Sequence, residues 1–262
     1  MSDTALPRPG VPAGVALFAR WTGLSLGAVL GILIAQSGRL GLGVLHALPV
    51  FGLCAVAGVL AGDVLASRPH GEVRRAGLTP RRVRDYLPVR FTALLTVQAA
   101  VLLVLLAVAA ATASADDMGR AGRTLGAACG NVIQSHGPWP GLFYGAPVIG
   151  ALALTTAACW YALHRIVRQP VPGGDSALRA ADEQQRRDRA LAVTAAWGLT
   201  VSAPLAGAAL FASGALRSLS CLGAAAHAVG WALLPIALVA GGTAVWSLLT
   251  LAAPRSVSRR RS

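Results

Sequence analysis

The sequence contains no lysine: all 23 basic residues among its 262 positions are arginine. This absence excludes the chemistry of a lysine amine, as a Schiff base or as a nucleophile. It also excludes a phosphate-binding glycine loop that ends in Lys followed by Ser or Thr. Charged residues of both signs make up only 13% of the chain, about half of the share that is usual in a soluble globular domain.

Other catalytic patterns are scarce as well. There is no His-Glu-x-x-His and no Cys-x-x-Cys, the spacings that hold zinc or a redox pair. No serine is expected in a Gly-x-Ser-x-Gly spacing, the pattern that forms the nucleophile elbow of hydrolases. Asp116 and Asp117 lack a partner acid at a suitable spacing, so we interpret them as part of a solvated loop. The sequence predicts no catalytic residue and no cofactor, and an enzyme is the least supported class.

Long apolar segments dominate what is present. Apolar residues make up 55% of the chain, and the mean hydropathy is +0.62. They form blocks of about twenty or more residues without a strong helical or alternating period, as in helices whose whole circumference faces apolar surroundings. We predict an all-α, polytopic transmembrane bundle over residues 21–253, with six spans at about 21–37, 40–65, 89–113, 141–164, 190–214 and 222–253.

The arginines predict the orientation of these spans. Nineteen fall in the N-terminal segment, the loop 66–90, the loop 165–189 and the tail 254–262, whereas four fall in the alternate connections. Positive residues are enriched in cytoplasmic loops, so both termini and the arginine-rich loops are expected in the cytoplasm. Because this charge lies in short connections and not on a soluble folded face, nucleic-acid binding is not predicted.

The two ends of the chain are expected to lie outside the bundle. Residues 1–20 are predicted to be a flexible cytoplasmic arm and residues 254–262 a basic cytoplasmic tail. A cleaved signal peptide is an open alternative, since Ala35-Gln36-Ser37 resembles a small-residue cleavage site. The all-arginine usage and the abundance of Ala, Gly and Val favour a GC-rich bacterial genome, which would place the protein in the bacterial plasma membrane.

Small residues recur at helical spacing in the first two spans. Gly23, Gly27 and Gly31 lie four apart, as do Gly58 and Gly62. Such stripes allow two helix backbones to approach closely.

Two of the four cysteines are predicted to lie in outer loops. A disulfide between Cys129 and Cys221 is therefore expected in an oxidising compartment, with two unpaired small residues as the alternative. His46, His136 and His227 map to the same side, but no two share a metal-ligand spacing. A metal site on these histidines is a weaker alternative, and no metal is predicted.

Two polar residues fall within predicted spans. Asp63 lies near the end of the second span, and an intramembrane acid is a candidate proton or ion site. The alternative is an ion pair with Arg68 or Arg90 at the lipid interface. Gln98 in the third span is expected to hydrogen-bond between helices more readily than to contact a substrate.

The cytoplasmic loops carry candidate docking or lipid-contact residues, namely Arg74, Arg75, Arg81, Arg82, Arg84, Arg186, Arg187 and Arg189. Thr79-Pro80 predicts the start of a short surface helix that ends before Pro88. In the later loop a helix is predicted to begin near Ser176, with Asp182–Arg186 and Glu183–Arg187 as i,i+4 ion pairs.

The loop from Arg74 to Pro88, with the residues around Arg168 to Pro170, resembles a group of actinobacterial multi-pass membrane proteins that has no assigned activity. The resemblance implies the six-span topology and carries over no functional residue. Two functions are expected from the residues: a permease-like transport subunit that needs a separate cytoplasmic ATPase, or a membrane scaffold or signalling partner. In the second, the basic loops bind anionic head groups or a regulatory protein.

Overall fold

In the part of the chain that the structure describes, six α-helices and one hairpin form the fold. The computed structural model of the protein describes residues 11–37, 42–65, 83, 86, 88–116, 118–168 and 176–252. The elements are α1 (Val11–Ser37), α2 (Leu42–Leu65), α3 (Val89–Thr112), β1 (Leu125–Cys129), β2 (Val132–His136), α4 (Leu142–Arg168), α5 (Ser176–Ser218) and α6 (Gly223–Ala252). We call the end of the bundle that carries the hairpin the outer end, and the opposite end the inner end.

Among the described residues, five helices are long and apolar enough to cross a membrane: α1, α3, α4, α5 and α6. The helix α2 has 24 residues, but its described apolar stretch is the shorter segment Val50–Gly62. A typical bilayer core of about 30 Å needs about 20 apolar helical residues. The fold is thus a helical bundle with the features of a membrane protein, and five of its helices meet the length requirement.

The helix α1 begins earlier than the sequence predicted. It starts at Val11, so the prediction of a flexible arm was wrong for residues 11–20, while residues 1–10 lie outside the described part. Pro12 is compatible with a first helical turn, because the N–H that proline lacks has no partner there anyway. The apolar residues that follow then continue the helix into the predicted first span.

The predicted glycine stripes bring α1 and α2 together. Gly23, Gly27 and Gly58 are all buried. A Cβ atom built on Gly23 would lie 2.7 Å from the Cα of Gly58 and 2.7 Å from the carbonyl oxygen of Cys54. Only glycine permits this distance, since both obstructing atoms belong to the backbone.

The helix α5 is the centre of the bundle. It begins at the predicted Ser176 and runs without interruption for 43 residues, about 65 Å at a rise of about 1.5 Å per residue. It contacts α2, α3, α4 and α6. None of the twenty residues from Ala190 to Ala209 is exposed: fifteen are buried and five are half-buried. A helix that is apolar all round is one that other helices surround.

The hairpin was not predicted. The strands β1 and β2 pair antiparallel, with Leu125 opposite His136 and Cys129 opposite Val132. The two residues between them are Gly130 and Asn131, and Gly130 has φ 65°. Gly-Asn between two short strands is a hairpin signal, and sequence reasoning missed it because the strands themselves alternate weakly.

Candidate functional site

A disulfide ties the outer connections of the bundle together. Cys129, at the end of β1, is bonded to Cys221 in the 3-10 turn between α5 and α6, and the two Cα atoms are 5.5 Å apart. The structure thus joins the two cysteines that the sequence paired. The connection between α3 and α4, residues 113–141 apart from Asp117, is called the outer cap below.

Trp139 inserts the outer cap into the bundle. Its side chain is 4% exposed, and its indole Nε1 donates a hydrogen bond of 2.9 Å to the carbonyl oxygen of Ala109 in α3. It belongs to a cluster with Leu219, Leu233 and the small face of α5 formed by Ala209, Ala212 and Ala215. The indole therefore fills the outer end of the interface between α3, α5 and α6.

An ion-pair network organises the turn of the outer cap. The Asp116 carboxylate accepts a hydrogen bond of 2.7 Å from Nε of Arg120 and further bonds from the backbone N–H groups of Met118 and Arg120. Partial desolvation raises the pKa of Asp116, but these hydrogen bonds and the Arg120 charge outweigh it, so the pKa is lowered from 3.8. The Arg123 guanidinium carbon lies 3.8 Å from the centroid of the Phe143 ring.

A polar cluster lies between three helices in the middle of the bundle. Gln98 in α3 donates through Nε2 to Oγ1 of Thr243 in α6 at 3.0 Å, and its Oε1 accepts from Oγ of Ser202 in α5 at 2.6 Å. All three side chains are buried. The interhelical hydrogen bonding that the sequence predicted for Gln98 is present.

One more hydroxyl lies in the same interface without a hydrogen bond. Ser247 follows Thr243 by one turn of α6, is 0% exposed, and its Oγ has no partner. It sits against Gly198 of α5, where a Cβ atom would come within 2.8 Å of that oxygen and 3.1 Å of the Leu95 side chain in α3. The same three helices therefore contribute the polar cluster and the unpaired hydroxyl.

At the inner end, Arg186 joins α5 to the end of α4. Its side chain is only 2% exposed, its Nε lies 2.8 Å from the Asp182 carboxylate, and its Nη1 donates to the carbonyl oxygen of Ile166 at 2.8 Å. The prediction of the Asp182 ion pair is confirmed. The prediction that Arg186 lies on a docking or lipid-contact surface was wrong. Arg186 and Asp182 lie on the same face of α5, and at Arg186 that face packs against the end of α4.

The neighbouring pair is exposed instead of buried. Arg187 lies 3.5 Å from Glu183, as predicted, and 59% of its side chain is exposed. Glu183 also accepts a hydrogen bond of 3.2 Å from the hydroxyl of Tyr86, which connects the segment before α3 to α5. Arg189 is half-buried.

The remaining predicted positions lie partly outside the described residues. Those outside are Arg74, Arg75, Arg81, Arg82, Arg84 and most of the predicted helix over 80–87. Asp63 lies in α2, but its side chain is outside the described part. Of the histidines, His136 lies in β2 and His227 in α6, and in the described part of the chain no group of three His, Cys, Asp or Glu residues could hold a metal ion.

The chain does contain one Gly-x-Ser-x-Gly spacing, contrary to the expectation above. It runs from Gly23 to Gly27, but Ser25 lies in the middle of α1 and is exposed. A nucleophile elbow requires a sharp strand-to-helix turn, so this serine lacks the geometry of a hydrolase nucleophile.

No protein-family model matches the chain, and comparisons with curated proteins and with solved structures find no match either. The class is therefore defined by the fold alone: a helical bundle with five membrane-length apolar helices, a disulfide-bonded outer cap and a buried polar interface between α3, α5 and α6.

Proposed function

We propose that this protein is a permease-type subunit of a bacterial plasma membrane that acts with a separate cytoplasmic ATPase. In this proposal all six helices span the bilayer, α2 included, and the inner end faces the cytoplasm. The orientation is supported by the nineteen arginines that fall on that side against four on the other. A reporter fused after Ser262, active only in the cytoplasm, tests the orientation directly.

The continuity of α5 is the observation that carries the proposal. The segment from Ser176 to about Arg189 extends beyond the apolar span, and the same helix then reaches the outer end at Ser218. At its base it is held to the end of α4 through Arg186 and to the segment before α3 through Tyr86. A protein that binds at the inner end could therefore move three elements together, which is what an energy-coupling partner requires.

A membrane scaffold or signalling partner is the second candidate. The observation that favours it is the covalent link at the outer end, where Cys129–Cys221 holds the outer cap to the turn before α6. In a scaffold the helices do not move relative to one another, and the arginine-rich loops bind anionic head groups or a regulatory protein.

Gentle purification from native membranes, followed by mass spectrometry of co-eluting proteins, separates the two candidates. A stoichiometric nucleotide-hydrolysing subunit is the result expected for a permease subunit. Its loss in an Arg81→Ala, Arg82→Ala variant would assign docking to the inner loop, and Arg217→Ala at the outer end is the matched control. A protein that elutes alone, or with a regulatory protein, would contradict the permease proposal and support the scaffold.

A further inference from the structure

Clusters of buried side chains from α3, α5 and α6 follow one another from the outer cap to the inner half of the bundle, and we call this interface the seam. Its outer end holds Trp139 against Ala109. Its middle holds Gln98, which lies eleven residues from Ala109 along α3, about 16 Å at the helical rise. This is about half of the thickness of a bilayer core, so the polar cluster lies close to the midplane.

We propose that the seam is a binding path for a small, uncharged, hydrogen-bonding solute, and that the outer cap is its gate. This inference rests on the transport role proposed above and adds a substrate class and an entrance to it.

The chemistry of the seam defines the solute. Among the described residues, the buried polar side chains that line it are one amide and several hydroxyls, with no ionisable group: Gln98, Ser202, Ser213, Thr243 and Ser247. An amide and hydroxyls donate and accept hydrogen bonds, but they cannot compensate a full charge taken out of water. Ser247 has an unused hydroxyl at 0% exposure, a group that gains a hydrogen bond when a polar molecule enters.

The outer cap supplies the gate. The Trp139 indole is the largest side chain in the outer cluster, and it faces the small alanine surface of α5. Lifting it would vacate the outer end of the seam. The buried side chains of Leu102, Leu106 and Leu205 lie between that end and Gln98, so they also have to move apart before a solute reaches the polar cluster. The Cys129–Cys221 bond holds the hairpin over that position, so breaking the bond would favour the lifted state. The seam is closed in this structure, since Gln98, Ser202 and Thr243 are all buried.

Thiol accessibility at the polar cluster tests the gate. The variant Ser202→Cys is made in a chain with Cys54→Ala and Cys159→Ala, once with the disulfide and once with Cys129→Ser and Cys221→Ser. The probes are neutral methyl methanethiosulfonate and its trimethylammonium analogue. Removing the disulfide is expected to speed neutral labelling at least about tenfold, because labelling follows the population of the open state, and the cationic probe is expected to remain slow.

Thr155→Cys is the matched control. Thr155 is also 0% exposed, but it lies in α4 and contacts Thr200 of α5 at 3.3 Å, outside the seam. If Thr155→Cys accelerates as much as Ser202→Cys, the disulfide merely holds the bundle together and the proposal is overturned. Unchanged labelling at Ser202→Cys would also overturn it.

Solute flux provides a second readout. Vesicles that contain the protein are exposed to gradients of urea and of glycerol, and their volume is followed by light scattering. Trp139→Ala is expected to increase the rate of volume change at least about threefold, and adding Gln98→Leu is expected to reverse that increase by removing the central amide. No increase, or an equal leak of sodium ions, would refute the path. Neither measurement needs a partner protein, so the failure of ATPase co-purification and the failure of this inference are distinguishable.

Discussion

The two adjacent ion pairs of α5 allow a matched test of burial. Arg186–Asp182 and Arg187–Glu183 have the same i,i+4 spacing on the same helix, yet the two arginine side chains are 2% and 59% exposed. The perturbation is Arg186→Ala, with Arg187→Ala as its control. Removing Arg186 leaves both the Asp182 carboxylate and the Ile166 carbonyl oxygen without their donor.

The expected magnitudes differ severalfold. Breaking a buried ion pair by removing one partner typically costs about 3–5 kcal/mol. Because Asp182 is itself 16% exposed, water can partly solvate it, and we expect about 3 kcal/mol for Arg186→Ala. The exposed pair is worth only about 0.3–0.5 kcal/mol. Arg186→Lys is expected to recover little, because an ammonium group cannot bond in two fixed directions as the guanidinium does.

Equilibrium unfolding in detergent micelles measures these differences, and the double variant with Asp182→Ala isolates the coupling between the two side chains. A coupling of about 1 kcal/mol or more is expected for this pair, against one close to zero for Arg187–Glu183. Equal losses for Arg186→Ala and Arg187→Ala would refute the reasoning, since they would show that burial against α4 adds nothing to the ion pair.

Three further outcomes are expected. Cys129→Ser should lower the free energy of unfolding by about 2–4 kcal/mol, because the Cys129–Cys221 bond closes a loop of 92 residues; an unchanged thermal midpoint would contradict this. Gly23→Leu should cost more than about 2 kcal/mol because the added atoms meet α2 backbone, whereas Gly14→Leu, with nothing within 4 Å, should be neutral in the same assay. Asp116→Asn should destabilise the outer cap at neutral pH. Since the folded-state pKa of Asp116 is lowered, its contribution is present above the ordinary value and lost as the pH falls through the lowered one. The difference between the thermal midpoints of the variant and the parent protein should therefore shrink as the pH is lowered below the ordinary pKa of 3.8, and a difference that stays constant with pH would argue against the ionic network.

Local patterns were sufficient for several features of the fold. The start of α5 at Ser176 and the limits of α3 follow from the polar-to-apolar transition and from Pro88, because helix boundaries depend on neighbouring residues. The two ion pairs of α5 follow from helical spacing alone. The Cys129–Cys221 pair followed from the predicted number of spans, because that number places both connections on the same side of the membrane.

The sequence by itself determined which segments are apolar, where α3 and α5 begin and which side the arginines favour, since hydropathy, proline and charge act locally. Only the tertiary structure decided that α5 is surrounded by other helices, that Arg186 is buried while Arg187 is exposed, and that Trp139 closes the outer end of the seam. These features depend on which faces of separate helices meet. In a chain whose spans are apolar all round, no amphipathic stripe records that choice, so packing between distant segments decides it.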